Sequence, residues 1–285
     1  KYFLTMKAIA DKANEMMATG PARGSASGSL LAYVLGITQV DPIRFELPFE
    51  RFMTRDMKGM PDIDFDVAEP AYLKEKLAEE WGEFSVIPIS NWNTLQLKSL
   101  IKDIAKFYKL PFQEVNEVTG KMMLEATPIA KKARGIKAGV YVPTFEEVME
   151  YSPTLQSFLS KYPNIKTHVE AIYGNIRANS RHAGGCLVGD NLNEHMPLIR
   201  VRGTWQTPWA EGQHVRHLEP LGFVKFDILG LSTLTMIQQA VSHILIRHHD
   251  NPNPTIQDIN NYYNKYLHPD VIDLNDESVW KNVFH

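Results

Sequence analysis

Asp62-Ile63-Asp64-Phe65-Asp66-Val67, entered through Met60-Pro61 and left through Glu69-Pro70, is the stretch on which the fold turns. Acidic and apolar residues alternate strictly, which is the period of a strand. That period sends all three carboxylates to one face and Ile63, Phe65 and Val67 to the other. Three like charges on one strand face repel each other, and a packed sheet gains nothing from them. A divalent cation would offset the cost. Hard oxygen donors suit Mg²⁺, which takes one or two protein carboxylates and fills its shell with water and substrate phosphate. A solvated face near a sheet edge, where charge discourages aggregation, accounts for the same pattern.

GFVKFDIL, Gly222 to Leu229, is the other strand-like run with an acid among apolar neighbours. Period two puts Lys225 and Asp227 on one face, where an unpaired buried charge would be expensive. A structural Lys–Asp pair is one reading. If the run lies beside 62–67, three acids from two strands meet, the usual arrangement for holding two cations during in-line phosphoryl transfer. The third element is GPARGSASGS at 20–29. Its glycines let backbone N–H groups turn toward an anion, its serines add hydroxyl donors, and the next helix offers a positive N-terminus. Arg23 supplies a forked phosphate partner. No GKS or GKT is present, so this is not a Walker loop. A Gly/Ser turn before a helix is by itself usually only a turn, but followed by a DxD strand it gives the order expected of a nucleotidyltransferase palm.

Charge divides along the chain. Residues 41–90 hold six Lys and Arg against twelve Asp and Glu, and residues 94–140 hold nine against four. The basic stretch is helical in pattern, with Leu97, Leu100, Ile101, Ile104 and Ala105 toward a core and Lys98, Lys102, Lys106 and Lys109 on the other side. A solvated helix face explains such lysines equally well. The spacing predicts a first helix with Phe3, Met6, Ala10, Ala13 and Met17 on one face, ending at Gly20-Pro21. A short helix follows from Leu30 to Leu35, and another from Pro70 to Trp81. FSVIPI at 84–89 reads as a buried strand. Helices are expected at 144–160, opened by a Thr144…Glu147 capping box, and at 165–179. Strand signals return in GGCLVG, closing at Gly189, and Ser232 is expected to cap a helix to about 247. The pattern is an α+β domain interrupted by a helical subdomain.

Composition bounds the rest. The 285 residues are 44% hydrophobic and 22% charged, with 30 Lys and Arg against 33 Asp and Glu. That excludes collagen-like, disordered and uniformly basic nucleic-acid-coating proteins. The single cysteine, Cys186, forbids an internal disulfide framework and fits a reducing compartment. No apolar run approaches the ~20 residues of a membrane span. The patterns at Lys1 and at Val283-Phe284-His285 are cut mid-run, so a longer chain is expected.

In order, GPARGSASGSLLAYVLGITQVDP, FERFM, MPDIDFD, RHAGG and VKFDILGLSTLT resemble the C family of bacterial replicative DNA polymerases, the DNA polymerase III alpha subunits. The resemblance covers nearly the whole chain. It implies a polymerase β-like nucleotidyltransferase palm, with a mixed sheet and helices, interrupted by a helical thumb. The palm would take 1–93 and 176–232, the thumb 94–175 and the start of the fingers 233–285. Carried over by position, Asp62 and Asp64 match the paired metal ligands and Asp227 the third catalytic aspartate, around two Mg²⁺. Arg23, Gly24, Ser25, Arg51 and Lys225 match residues at the incoming triphosphate, while Asp66 matches supporting structure.

The resemblance further implies primer–template DNA and dNTPs as substrates. A sliding clamp and other replisome subunits would be reached through regions outside this chain, with no membrane. The setting would be the bacterial cytoplasm and nucleoid, or the cytoplasm of an infected host. Lys98 and Lys102 would grip the duplex by its phosphates. Departures from the family include Met57 where an arginine is usual (Arg55 and Lys58 being possible substitutes) and Arg181 for lysine. Ala22 replaces a loop glycine, and Asn91-Trp92-Asn93-Thr94 replaces an FGT-like turn. A template-independent nucleotidyltransferase, or a fragment that binds DNA without turnover, are the competing readings. His182, the Trp205/Trp209 pair and His248-His249-Asp250 have bland structural explanations, as a satisfied histidine, surface packing and a solvated helix face.

Overall fold

The computed structural model of the chain describes residues 1–57, 59–137, 139–211, 216–273 and 275–283. Lys58, one of the two substitutes for the family arginine, lies outside the described residues. Helix α1 (Tyr2–Met16) leads through a 3₁₀ turn (Gly24–Gly28) to α2 (Leu30–Val34) and a second 3₁₀ turn (Phe49–Arg51). Then come β1 (Asp64–Val67), α3 (Pro70–Trp81) and β2 (Val86–Thr94). Five helices follow: α4 (Leu97–Phe107), α5 (Phe112–Ala133), α6 (Phe145–Tyr151), α7 (Pro153–Lys161) and α8 (Pro163–Ile172). The chain continues through β3 (Ile176–Val188), α9 (Leu192–His195), β4 (Ile199–Val201), β5 (Thr204–Gln206) and β6 (Lys225–Gly230). Helices α10 (Ser232–His248), α11 (Ile256–Tyr266) and α12 (Glu277–Val283) complete it. Two compact units result, one of residues 1–91 with 181–285 and one of residues 92–180.

Strands β1, β6, β3 and β2 form, in that order, a mixed sheet, and β4 and β5 form a separate antiparallel pair. Strand β1 runs parallel to β6, with Asp64 opposite Asp227. On the other side β3 runs antiparallel, with Gly185 opposite Asp227. Tyr2, Met6, Ile9, Ala10 and Ala13 recur three or four residues apart and put one face of α1 against Ile63, Phe65 and Val67, with Leu73 and Leu77 of α3 closing the core. Cys186 fills a gap there, fully buried, and burial pushes its thiol up to about 11. A second core gathers Ile87, Ile89, Leu187 and Met196, against which Trp205 and Trp209 pack. Trp205 donates its ring N–H to Glu83 (3.0 Å), as expected of surface packing.

The second unit is helical. Its core takes Leu97, Leu100, Ile101, Ile104 and Ala105 from α4, with Met122 and Ala126 of α5 and Leu155 and Phe158 of α7. The capping box forms as the sequence predicts: Thr144 accepts from the Glu147 N–H, and the Glu147 carboxylate accepts from the Thr144 N–H. Several boundaries differ from the spacing. The helix expected at 144–160 breaks at Ser152, whose backbone is extended and whose hydroxyl caps α7 ahead of Pro153. The helix expected at 165–179 stops at Ile172, because Gly174 turns left-handed and Ile176 starts β3. Helix α1 stops at Met16, before Gly20, and Leu231 rather than Ser232 caps α10. Strand β2 runs on to Thr94. No described helix is long and apolar enough to cross a membrane.

Candidate active site

Strand β1 begins at Asp64, so Asp62 stands exposed in the segment that approaches the strand. Tyr2 fixes that approach by accepting the Ile63 N–H at its hydroxyl (3.1 Å). Its ring leans on Phe226, with centroids 5.2 Å apart. Burial first, then the charges of Asp62, Asp227 and Asp64, push the phenol up to about 12, so Tyr2 keeps its proton among three carboxylates. Reading the first turn for its helical face singled out Phe3 and missed Tyr2.

The parallel pairing of β1 and β6 sets Asp64 beside Asp227. Burial raises the Asp64 pKa and so does Asp227; Arg23 lowers it, Asp62 raises it again and Lys225 lowers it. Two acids and two bases therefore act on Asp64. Lys225 donates to Asp227 Oδ2 at 2.8 Å, so the structural pair forms. Asp227 Oδ1 is buried without a hydrogen-bond partner.

The 3₁₀ turn closes over this face. Gly24 has φ of +60°, and a Cβ there would come 2.9 Å from Asp64 Oδ2. Gly20 lies equally close to β1: its N–H bonds the Asp66 carbonyl (2.8 Å), and a Cβ would stand 2.8 Å from the Asp66 Cβ. Arg23 donates to Asp66 Oδ1 at 2.9 Å, and Asp66 is itself buried. The third acid of the run thus holds the arginine of the turn. Ser25 is half-buried within the turn. Arg51 is exposed in the second 3₁₀ turn, which packs against the first, and makes no ion pair among the described residues.

Across β6, His182 accepts the backbone N–H of Gly185 (2.6 Å) and of Gly184 (3.2 Å) at Nδ1. Lys74 reaches from α3 to donate to the Gly184 carbonyl (2.6 Å), and burial lowers its pKa. Both residues are partners that periodicity along one strand does not reveal.

Asp62, Asp64 and Asp227 are hard oxygen donors, and the orphaned Asp227 Oδ1 is a buried acceptor awaiting a positive partner; this donor set fits a divalent cation. Among the described residues no three acidic, His or Cys side chains are drawn tightly enough to enclose an ion unaided, Asp227 Oδ2 being bonded to Lys225 instead. In the other unit, Lys98 is exposed and Lys102 half-buried on α4, away from its buried face. Lys109 lies beyond that helix in a left-handed turn, and Asp103 pairs with Arg177 at 3.0 Å. His248 and Asp250 are exposed, and His249 stands edge-on to Tyr262.

Comparison with known proteins places the chain in a family. The family model for the bacterial DNA polymerase III alpha NTPase domain matches residues 1–230, and the chain belongs to that family. It is 30% identical over 270 residues to the DNA polymerase III subunit alpha of Campylobacter jejuni, covering 93% of this chain and 20% of that protein. With the subunit of Thermus aquaticus it shares 33% identity over 231 residues, 79% of this chain and 18% of that one. With that of Bacillus subtilis it shares 32% over 251 residues, 85% and 21%. The chain therefore spans about a fifth of the length of these curated relatives.

Proposed function

We propose that the chain carries the palm and thumb of a replicative C-family DNA polymerase, transferring a nucleotidyl group from a dNTP to the 3′-hydroxyl of a primer on a template. The observation that carries this is the register that sets Asp64 opposite Asp227, with Gly24 against Asp64. In this reading residues 1–93 and 176–232 are palm, 94–175 thumb, and 233–285 the start of the fingers. Clamp and replisome contacts belong to parts of the polypeptide outside this chain.

Asp62, Asp64 and Asp227 would hold two Mg²⁺, which when bound lower the pKa of the primer hydroxyl and neutralise the triphosphate and leaving pyrophosphate. The residues of the chain do the rest by position. Gly24 lets the turn approach Asp64 closely, and the Gly24–Gly28 turn offers a phosphate its backbone N–H groups. Arg23, Arg51 and Lys225 steady the phosphates, Arg23 being held meanwhile by Asp66. Tyr2, protonated, fixes the chain between Asp62 and Asp64 through the Ile63 N–H.

The test replaces Asp62 or Asp227 with Asn in the full-length polypeptide. Incorporation on a primed template should be abolished, with duplex binding nearly unchanged. Retained turnover would sink the assignment. Extension of a bare single strand as readily as of a primed template would favour a template-independent transferase.

A further inference from the structure

We propose that His182 contacts substrate as a neutral imidazole, its Nε2–H donating to a phosphate oxygen held at the aspartate cluster. The inference rests on the nucleotidyl-transfer reading and adds a residue to it.

The geometry begins with Gly185. It pairs directly with Asp227 across β3 and β6, so its missing side chain belongs to the face that carries the Asp227 carboxylate. A Cβ at Gly185 would lie 2.8 Å from His182 Nδ1 and 3.2 Å from its Cγ. The imidazole therefore occupies the place a side chain at 185 would take, beside Asp227 on the carboxylate face. The backbone beneath it is held from both sides: Gly184 gives its N–H to the ring and its carbonyl to Lys74.

The tautomer follows from the donors. Backbone N–H groups can only donate, so Nδ1 accepts twice and carries no hydrogen, which leaves the ring proton on Nε2. Neither nitrogen is then free to take a proton from the primer hydroxyl, so His182 is no general base. Half-burial and the neighbouring Lys225 and Lys74 favour the neutral ring, while Asp227 opposes them. Asn would satisfy the two amides as well as imidazole does. What histidine adds is a second nitrogen, at the far side of the ring, carrying a hydrogen with no protein partner among the described bonds. Beside a cluster built for phosphate, that donor has an oxygen to meet.

Two measurements test this. First, ¹⁵N-resolved histidine spectra of the chain should show pyridine-type Nδ1 and pyrrole-type Nε2 for His182 at neutral pH. The opposite tautomer, or an imidazolium, overturns the proposal whatever the enzyme does. Second, in the full-length polypeptide, His182→Asn keeps the near acceptor and loses the far donor, whereas His182→Gln places a donor near the Nε2 position. The Asn variant should lose roughly ten- to a hundredfold in kcat/KM, with part of the loss restored by Gln. A raised KM for the dNTP would assign the phosphate to the nucleotide, and a raised KM for primer–template would assign it to the primer strand. Wild-type kinetics in His182→Asn overturn the proposed hydrogen bond. If that variant does not fold, Gly185→Ala, which displaces an intact imidazole, should show the same loss, and wild-type kinetics there overturn it too. Undiminished turnover in Asp227→Asn would instead defeat the nucleotidyl-transfer reading and leave the tautomer result standing.

Discussion

Asp64 is the strained charge of the cluster, because burial and Asp227 raise its pKa more than Arg23 and Lys225 lower it. A carboxyl whose folded pKa lies above its unfolded value contributes stability below the unfolded pKa and loses it as pH rises through the folded one. At neutral pH the charged Asp64 therefore opposes folding, and Asp64→Asn should melt higher. Solvent screening keeps the gain to about a degree or two. The gap should close below the ordinary 3.8, and Mg²⁺ should raise the melting temperature of the wild type more than that of the variant. Thermal melts across pH, with and without Mg²⁺, check it; a variant that melts lower at neutral pH contradicts it. Asp64, Asp227 and Gly24 were legible because strand alternation and a glycine before a helix are local signals. Lys74 and Tyr2 were not, since each reaches the site from a helix whose sequence records only its own buried face.

At the scale of elements, the start of α6 is a charge-fixed joint. Glu147 accepts from the Tyr141 hydroxyl (2.6 Å), the Arg134 guanidinium (2.5 Å) and the Thr144 N–H (2.9 Å), and these partners take its pKa from 4.5 to about 2. A depressed carboxylate stabilises above its unfolded pKa and loses that contribution as pH falls through the folded one. Helical circular dichroism should therefore decline between about pH 4.5 and pH 2, and Glu147→Gln should flatten that limb while starting from lower stability at neutral pH. An unchanged acid limb would show that the joint carries no stability. The capping box was readable because its two side chains act within one turn. The break at Ser152-Pro153 was written in the sequence too, as a cap residue before a first-turn proline, but apolar spacing runs straight through it. Residues 176–180 gave no strand signal, since Arg, Ala, Asn and Ser have little strand preference and their pairing is decided elsewhere in the chain.

Over the whole molecule, net charge of −3 conceals a division: residues 41–90 are strongly acidic and residues 94–140 basic. Acidic residues that suit cations do not suit a polyanion, so the basic stretch is where a duplex would be met. Replacing both Lys98 and Lys102 with Ala should weaken primer–template binding to a similar degree for unrelated sequences. The logarithmic salt dependence should become shallower by about 0.9 for each phosphate that is no longer neutralised. Equilibrium binding across a salt series is the measurement, and unchanged affinity with unchanged slope would make these lysines merely solubilising. The alternation of apolar and basic positions along α4 was plain from the sequence. The return of the chain to the same sheet after five helices was visible only as a renewed strand signal, because long-range pairing leaves no periodic mark of its own.

Leu95 donates its N–H to the Asn175 carbonyl (2.8 Å) and accepts the Gly174 N–H (3.1 Å). The two ends of the five-helix stretch are thus joined backbone to backbone. Ends that already touch make an insertion nearly free of loop-closure entropy, whatever its length. Such a segment can be lengthened, shortened or exchanged between related chains while the Asp64–Asp227–Gly185 register keeps its neighbours. The helical stretch and the aspartate-bearing sheet are then free to diversify along separate lines of descent.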